Sequence, residues 1–185
     1  MLGQVGRNFE KARSRVPDMI KSSAMCLPLK DETLNCIFTF NAVHHFTLLD
    51  FLRETERILR DGGFLFIYTR LRSQNSRSVW GRFFPMFDSK ETRLYEEHDL
   101  ENAITNIPGL RLQKSQRFTF NRKSTLERLV GQAEKQYYST FDLYSQSELE
   151  LALDEFKDNL RDHFDDPSKI QWDDGNILLV LQKTQ

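Results

Sequence analysis

The sequence predicts an α/β fold on a mostly parallel sheet, with a helical insertion ahead of the last strand. Three observations carry this. "LNCIFTF" (Leu34–Phe40) and "FLFIYT" (Phe64–Thr69) are short, nearly continuous apolar runs, as in strands covered on both faces. Between them Leu48, Leu49, Phe51, Leu52, Ile58 and Leu59 recur at helical spacing, so Thr47–Arg60 reads as an amphipathic helix. Two buried strands joined by such a helix make a right-handed parallel βαβ unit. Finally, "GNILLVLQK" (Gly175–Lys183) closes the chain as a further strand, after two helical stretches.

The remaining elements follow in order. "RNFEKARSRV" (Arg7–Val16) reads as a short basic helix ended by Pro17, and "DMIKSSA" as a short strand running into the polar loop "MCLPLKDET". Asp61-Gly62-Gly63 stops the amphipathic helix, because glycine accepts the left-handed conformation after a helix end. Past Thr69 arginines and aromatics interleave through "RLRSQNSRSVWGRFFPMFDSKETRLY". "EEHDLENAITNI" reads as a helix, and Pro108-Gly109 turns the chain into the strand "LRLQKSQRFTF". Ser124-x-x-Glu127 has the form of a capping box opening a helix with Leu126, Leu129, Val130 and Ala133. A second helix, Ser147–Phe164, aligns Leu149, Leu153, Phe156, Leu160 and Phe164. The domain reading is one unit over 1–185, truncated at its N-terminus, with a helical insertion at about 123–166.

Bulk properties narrow the function classes. The 185 residues are enough for one domain with a real core, and the net charge of −1 with no basic stripe argues against nucleic acid. No apolar run approaches the roughly 20 residues that span a bilayer. The start of the chain lacks the apolar stretch of a signal peptide. Cys26 and Cys36 are the sole cysteines and lack CxxC spacing, which fits a reducing, cytoplasmic compartment and inert thiols.

"SSAMCLPLKDETLNCIFTFNAVHHF" followed by "ETERILRDGGFLFIYT" resembles the class I S-adenosylmethionine-dependent methyltransferases of the type 11 group. Glu54, Arg57, Leu59, Gly62 and Gly63 match the family's Glu-x-x-Arg-x-Leu-x-x-Gly-Gly piece. "SQNSRSVWGRFFPMF" and "YYSTFDLYSQSELELAL" are similar to a bacterial branch, and the likeness runs from Phe9 to Lys183. It implies a partial Rossmann-like fold, a transferase, S-adenosylmethionine as cofactor and a small-molecule or lipid-like methyl acceptor. Methyl transfer needs alignment more than side-chain chemistry, since the sulfonium supplies the electrophile.

The family opens with a strand, a glycine-rich loop, a helix and a second strand ending in an acid. This chain is expected to start just after them: the likeness puts Gly3 near the acid, and "GQVG" at Gly3–Gly6 follows no strand. Loss of a bidentate ribose carboxylate would cost roughly 3–6 kcal/mol, or on the order of 10²–10⁴ in affinity. "LNCIFTF" would also become an exposed apolar edge, inviting a homodimer, a complementing chain or a shifted "DMIKSSA" strand. The competing reading is therefore a non-catalytic module that pairs through this edge.

By resemblance, Ser23, Ala24 and Met25 stand where the family contacts adenine, and Asn41, Ala42 and His45 line the cofactor cleft. Ligands of open α/β sheets gather beyond the carboxyl ends of strands, which is where Asn41–His45 falls. His45 is also the weak catalytic candidate; the plainer reading of the pair is that one histidine packs on the helix and the other caps it. Paired histidines suggest a metal, but no third ligand sits at a useful spacing, so none is expected. Arg70, Gln74, Asn75 and Trp80, after the second apolar run, are the substrate-side candidates, with a solvated loop and an aromatic anchor as the plainer reading.

Overall fold

In the computed structural model, residues 19–184 are described. The helix expected at Arg7–Val16 and the Gly3–Gly6 stretch lie outside them. Strand β1 (Leu34–Phe40) leads through a single helical turn, Val43–His45, into α1 (Leu48–Ile58) and then β2 (Leu59–Thr69). Three short helices follow, α2 (Arg72–Asn75), α3 (Val79–Phe83) and α4 (Phe87–Lys90). Next come α5 (Glu97–Thr105), β3 (Leu110–Ser124), α6 (Leu126–Glu134), α7 (Gln146–His163) and β4 (Ile170–Lys183).

The four strands form one sheet in the order β1-β2-β4-β3. β1 and β2 are parallel, as the helix between them requires, but β4 runs antiparallel to both β2 and β3. The sheet is therefore mixed, not mostly parallel: the last strand returns between its two neighbours instead of crossing over the sheet. "MIKSSA" contributes only an isolated bridge between Ser23 and Cys26, not a strand.

One sheet face is covered. Leu65, Ile67, Ile177, Leu179 and Leu181 pack beneath Phe51 and Leu52 of α1 and Leu100 and Ile104 of α5. Burial of such side chains contributes about 1.5–3 kcal/mol each before entropy is charged against it. The opposite face carries a ladder of rings. Phe38 stacks on Phe66 at 4.6 Å, Phe40 meets Tyr68 at 5.8 Å, and Tyr68 meets Phe118 at 6.2 Å. Phe38 and Phe40 remain 57% and 66% exposed, so β1 is covered on one face, not on two.

The Glu54-x-x-Arg57 pair has a structural job. The Glu54 carboxylate accepts from the Leu27 backbone N–H at 2.6 Å and from Arg57 Nε at 2.8 Å. Arg57 reaches on to the Leu29 carbonyl and to Asp31, which clamps the polar loop along α1. The Arg57 guanidinium holds the Glu54 carboxyl below its usual range. α1 stops at Ile58, earlier than the expected Arg60, and Gly62 turns inside β2 at φ +78°.

The helices between β3 and β4 form a second core with α3 and α4. Trp80 stacks on Phe156 at 5.3 Å and meets Phe141 edge-on at 5.4 Å, with Phe84 and Phe87 closing the cluster. Ser145 caps α7: its side chain accepts from the Glu148 N–H while Glu148 accepts from the Ser145 N–H. At α6 the cap is Thr125, which accepts from the Arg128 N–H, one residue beyond the expected Ser124. Among the described residues no helix is long and apolar enough to cross a membrane.

Candidate functional site

The site begins where β1 and β2 end. Asn41 leaves β1 in the left-handed region at φ +46°, a conformation asparagine tolerates better than most residues, and its N–H donates to the Tyr68 carbonyl at 2.8 Å. Asn176 of β4 donates from Nδ2 to the Thr69 carbonyl at 3.2 Å, tying the three strands together at this end. Buried Val43 anchors the turn that follows and sets His44 and His45 side by side, ring centroids 4.1 Å apart.

Beyond β2, Arg70 pairs with Asp174 at 2.6 Å. The Leu71 N–H is accepted by Gln74 Oε1 at 2.9 Å, which fixes the first turn of α2 and presents Asn75. Gly81 is required here: a Cβ on it would lie 2.2 Å from the Asn75 carbonyl oxygen. From the other side the second core brings Glu91, which accepts from Arg93 Nε at 2.8 Å and from Thr140 Oγ1 at 2.7 Å. Together these elements enclose a cavity of about 340 Å³, lined by Asn41, His44, His45, Arg70, Asn75, Phe87, Glu91, Leu94 and the run Tyr137–Thr140.

Its electrostatics are nearly cancelled. Its one lining arginine and its one lining carboxylate are each paired from outside the cavity, Arg70 with Asp174 and Glu91 with Arg93. Two polar atoms stay without a partner: His44 Nδ1 and Asn75 Nδ2, both buried. Burial, reinforced by the neighbouring His45 and opposed by Glu91, lowers the His44 pKa to about 4, so the ring is neutral at pH 7. Burial likewise raises the Tyr138 phenol.

The His44 shift has a consequence for stability. The unfolded ring titrates near 6.5 and the folded one near 4, so stability is full above 6.5 and is lost as pH falls towards 4. At full burial that would be about 3 kcal/mol; screening at this half-buried ring reduces it to about 1–2 kcal/mol. Urea midpoints at pH 7 and pH 4.5 check it. His44→Phe is expected to shrink the difference between them, and an undiminished difference would assign the acid sensitivity elsewhere.

The structure gathers Asn41, His45, Arg70 and Asn75 at the cavity. Ala42 stands in the turn beside them. Gln74 is spent on the α2 turn, and Trp80, 2% exposed, belongs to the second core. Ser23, Ala24 and Met25 lie apart: Ala24 and Met25 pack on the first core, and Met25 lines a separate hollow beside Glu54 and Arg57. Of the paired histidines, His44 is the one held half-buried, while His45 is exposed. Glu91, Tyr138 and Thr140 were not singled out by the sequence: Tyr138 and Thr140 fall in the family-like stretch that begins "YYST", and Glu91 in the arginine and aromatic segment after β2.

The donor implied by the resemblance asks for a free carboxylate at its ribose diol and a close backbone loop at its other end. Among the described residues, Glu91 and Asp174 are committed to arginines, and no glycine loop follows a strand at this cavity. These residues do not fit the ribose and methionine parts of S-adenosylmethionine.

Comparison with known proteins places the chain. Residues 1–67 match the family described as a methyltransferase domain. No curated protein matches. A crystal structure assigned as a methyltransferase from Bacillus halodurans C-125 is similar at TM-score 0.64 and 16% identity, covering 100% of this chain and 79% of the other. The YcgJ protein of Bacillus subtilis is similar at TM-score 0.63 and 16% identity, with the same 100% and 79% coverage. SpnF, a (4+2)-cyclase, is similar at TM-score 0.57 and 16% identity, covering 98% of this chain and 60% of the other. The chain thus shares the fold of these structures, and its residues 1–67 match the methyltransferase-domain family.

Proposed function

We propose that the chain is a methyltransferase-like protein whose cavity takes the methyl acceptor, with S-adenosylmethionine as the donor its family points to. The observation that supports this is the convergence of Asn41, His44, His45, Arg70 and Asn75 beyond the carboxyl ends of the two parallel strands. Open α/β sheets take ligands there, and a neutral imidazole beside an unpartnered amide gives a small acceptor two points of orientation. The fold alone does not choose the reaction, as the similar cyclase shows. Among the described residues β1 is the outer strand of the sheet, which fits the expected second copy or complementing chain.

Donor binding is the weak part of this function. Without a free carboxylate for the ribose, the described residues hold the donor at about 1 mM or weaker. Calorimetric titration with S-adenosylhomocysteine tests it. The expected result is no saturable heat below the millimolar range; a micromolar dissociation constant would show a donor site that these residues do not reveal.

A further inference from the structure

A basic groove adjoins the cavity. Tyr137 and Tyr138 also line a neighbouring hollow of about 260 Å³, whose other walls include Arg122, Lys123, Arg128 and Trp172. Asp174 belongs to that hollow and pairs with Arg70 of the cavity, so the ion pair forms the wall between the two. A third hollow of about 390 Å³ shares Lys123, Ser124 and Arg128 and adds Thr125, Ser168 and Lys169. The three spaces follow one another from the sheet ends to the start of α6.

Their chemistry changes along the way. At the cavity every charge is answered. In the groove, Lys123 and Arg128 have no carboxylate within ion-pair distance among the described residues, and Arg122 is 3.8 Å from an Asp174 already engaged by Arg70. Lys169 is the one groove cation with its own close carboxylate, Asp166 at 3.0 Å. Trp172 Nε1 is buried and has no acceptor, which is costly for an indole N–H. Ser124, Thr125 and Ser168 line the third hollow beside these cations; the Ser168 hydroxyl donates to Asp166 at 2.6 Å and the Thr125 oxygen caps α6. Unanswered cations, hydroxyls and a spare N–H donor are the groups that recognise a phosphate monoester.

The geometry points to an elongated acceptor with a small neutral head in the cavity and a phosphate-bearing tail in the Lys123–Arg128–Trp172 groove. This rests on the acceptor reading of the cavity and adds the ligand's charged end. Both ends have their own reporter: the Asn75 side-chain amide for the head, the Trp172 indole N–H for the tail.

The test is nuclear magnetic resonance titration of the full chain with phenol, inorganic phosphate and phenyl phosphate. Phenol is expected to move only the Asn75 amide, phosphate only the Trp172 indole, and phenyl phosphate both. Phenyl phosphate binds at least tenfold tighter than phenol, and 0.5 M sodium chloride erodes that margin. Lys123→Gln with Arg128→Gln, at exposed positions, removes the margin and leaves phenol binding unchanged, which doubles as the folding control. Phenyl phosphate no tighter than phenol, or a double variant that keeps the margin, overturns the groove. An Asn75 amide unmoved by either phenyl compound, with Trp172 still responding, overturns the acceptor reading and with it the single spanning ligand.

Discussion

Phe156→Ala is expected to lower the unfolding free energy by about 3–5 kcal/mol. Phe156 is fully buried, and its ring contacts both Trp80 at 5.3 Å and Phe84 at 5.0 Å. Removing it leaves a void bounded by rigid rings, which cannot collapse as flexible aliphatic chains do. Phe156→Leu fills most of that space and should cost less than half as much. Urea unfolding followed by tryptophan fluorescence reads both, since Trp80 lies against the altered position. A loss below about 1 kcal/mol for the alanine variant would mean that the ring cluster relaxes freely and is not a packed core.

Glu91→Ala is expected to cost about 3 kcal/mol by a different route. Glu91 is 2% exposed and answers the Arg93 guanidinium and the Thr140 hydroxyl. Its loss strands a partly buried cation beside the cavity, and breaking one side of such a pair is worth about 3–5 kcal/mol; the partial exposure of Arg93 favours the lower end. Glu91 also raises the His44 pKa, so its removal should push the His44 titration still lower. Chemical denaturation gives the first effect, and imidazole resonances across pH give the second. Arg93→Ala in the same background should recover part of the stability; a double variant no better than Glu91→Ala alone would rule out the stranded charge as the cause.

The βαβ half of the fold was legible because its signals are local. Leu48, Phe51, Leu52 and Ile58 all face the core as their spacing requires, and the Gly62 turn falls next to the helix end. What covers a strand is not local. "LNCIFTF" shows that β1 is apolar on both faces, yet nothing within it tells whether Phe38 and Phe40 meet a helix or are left bare. Strand direction escaped for the same reason: β4 reads as a buried strand from its own residues, while its antiparallel course depends on where β3 lies.

The candidate site was half legible. Asn41, His45, Arg70 and Asn75 follow strand ends, and strand ends can be read from sequence. Glu91 and Thr140 join them from far along the chain, held by contacts to one another that no spacing rule anticipates. Trp80 illustrates the opposite error. An aromatic among arginines resembles a recognition residue, but its indole is surrounded by four phenylalanines.

The two apolar cores share no residue, and the far ends of β3 and β4 join them, with Ile170 and Trp172 already in the second. A molecule built this way breathes in parts: its helical cap can loosen as one cooperative unit while the sheet keeps its amides shielded from exchange. The cavity lies on the seam, with His44 on the sheet side and Phe87 and Thr140 on the cap side. Loosening of the cap therefore widens the seam and changes access to whatever binds there.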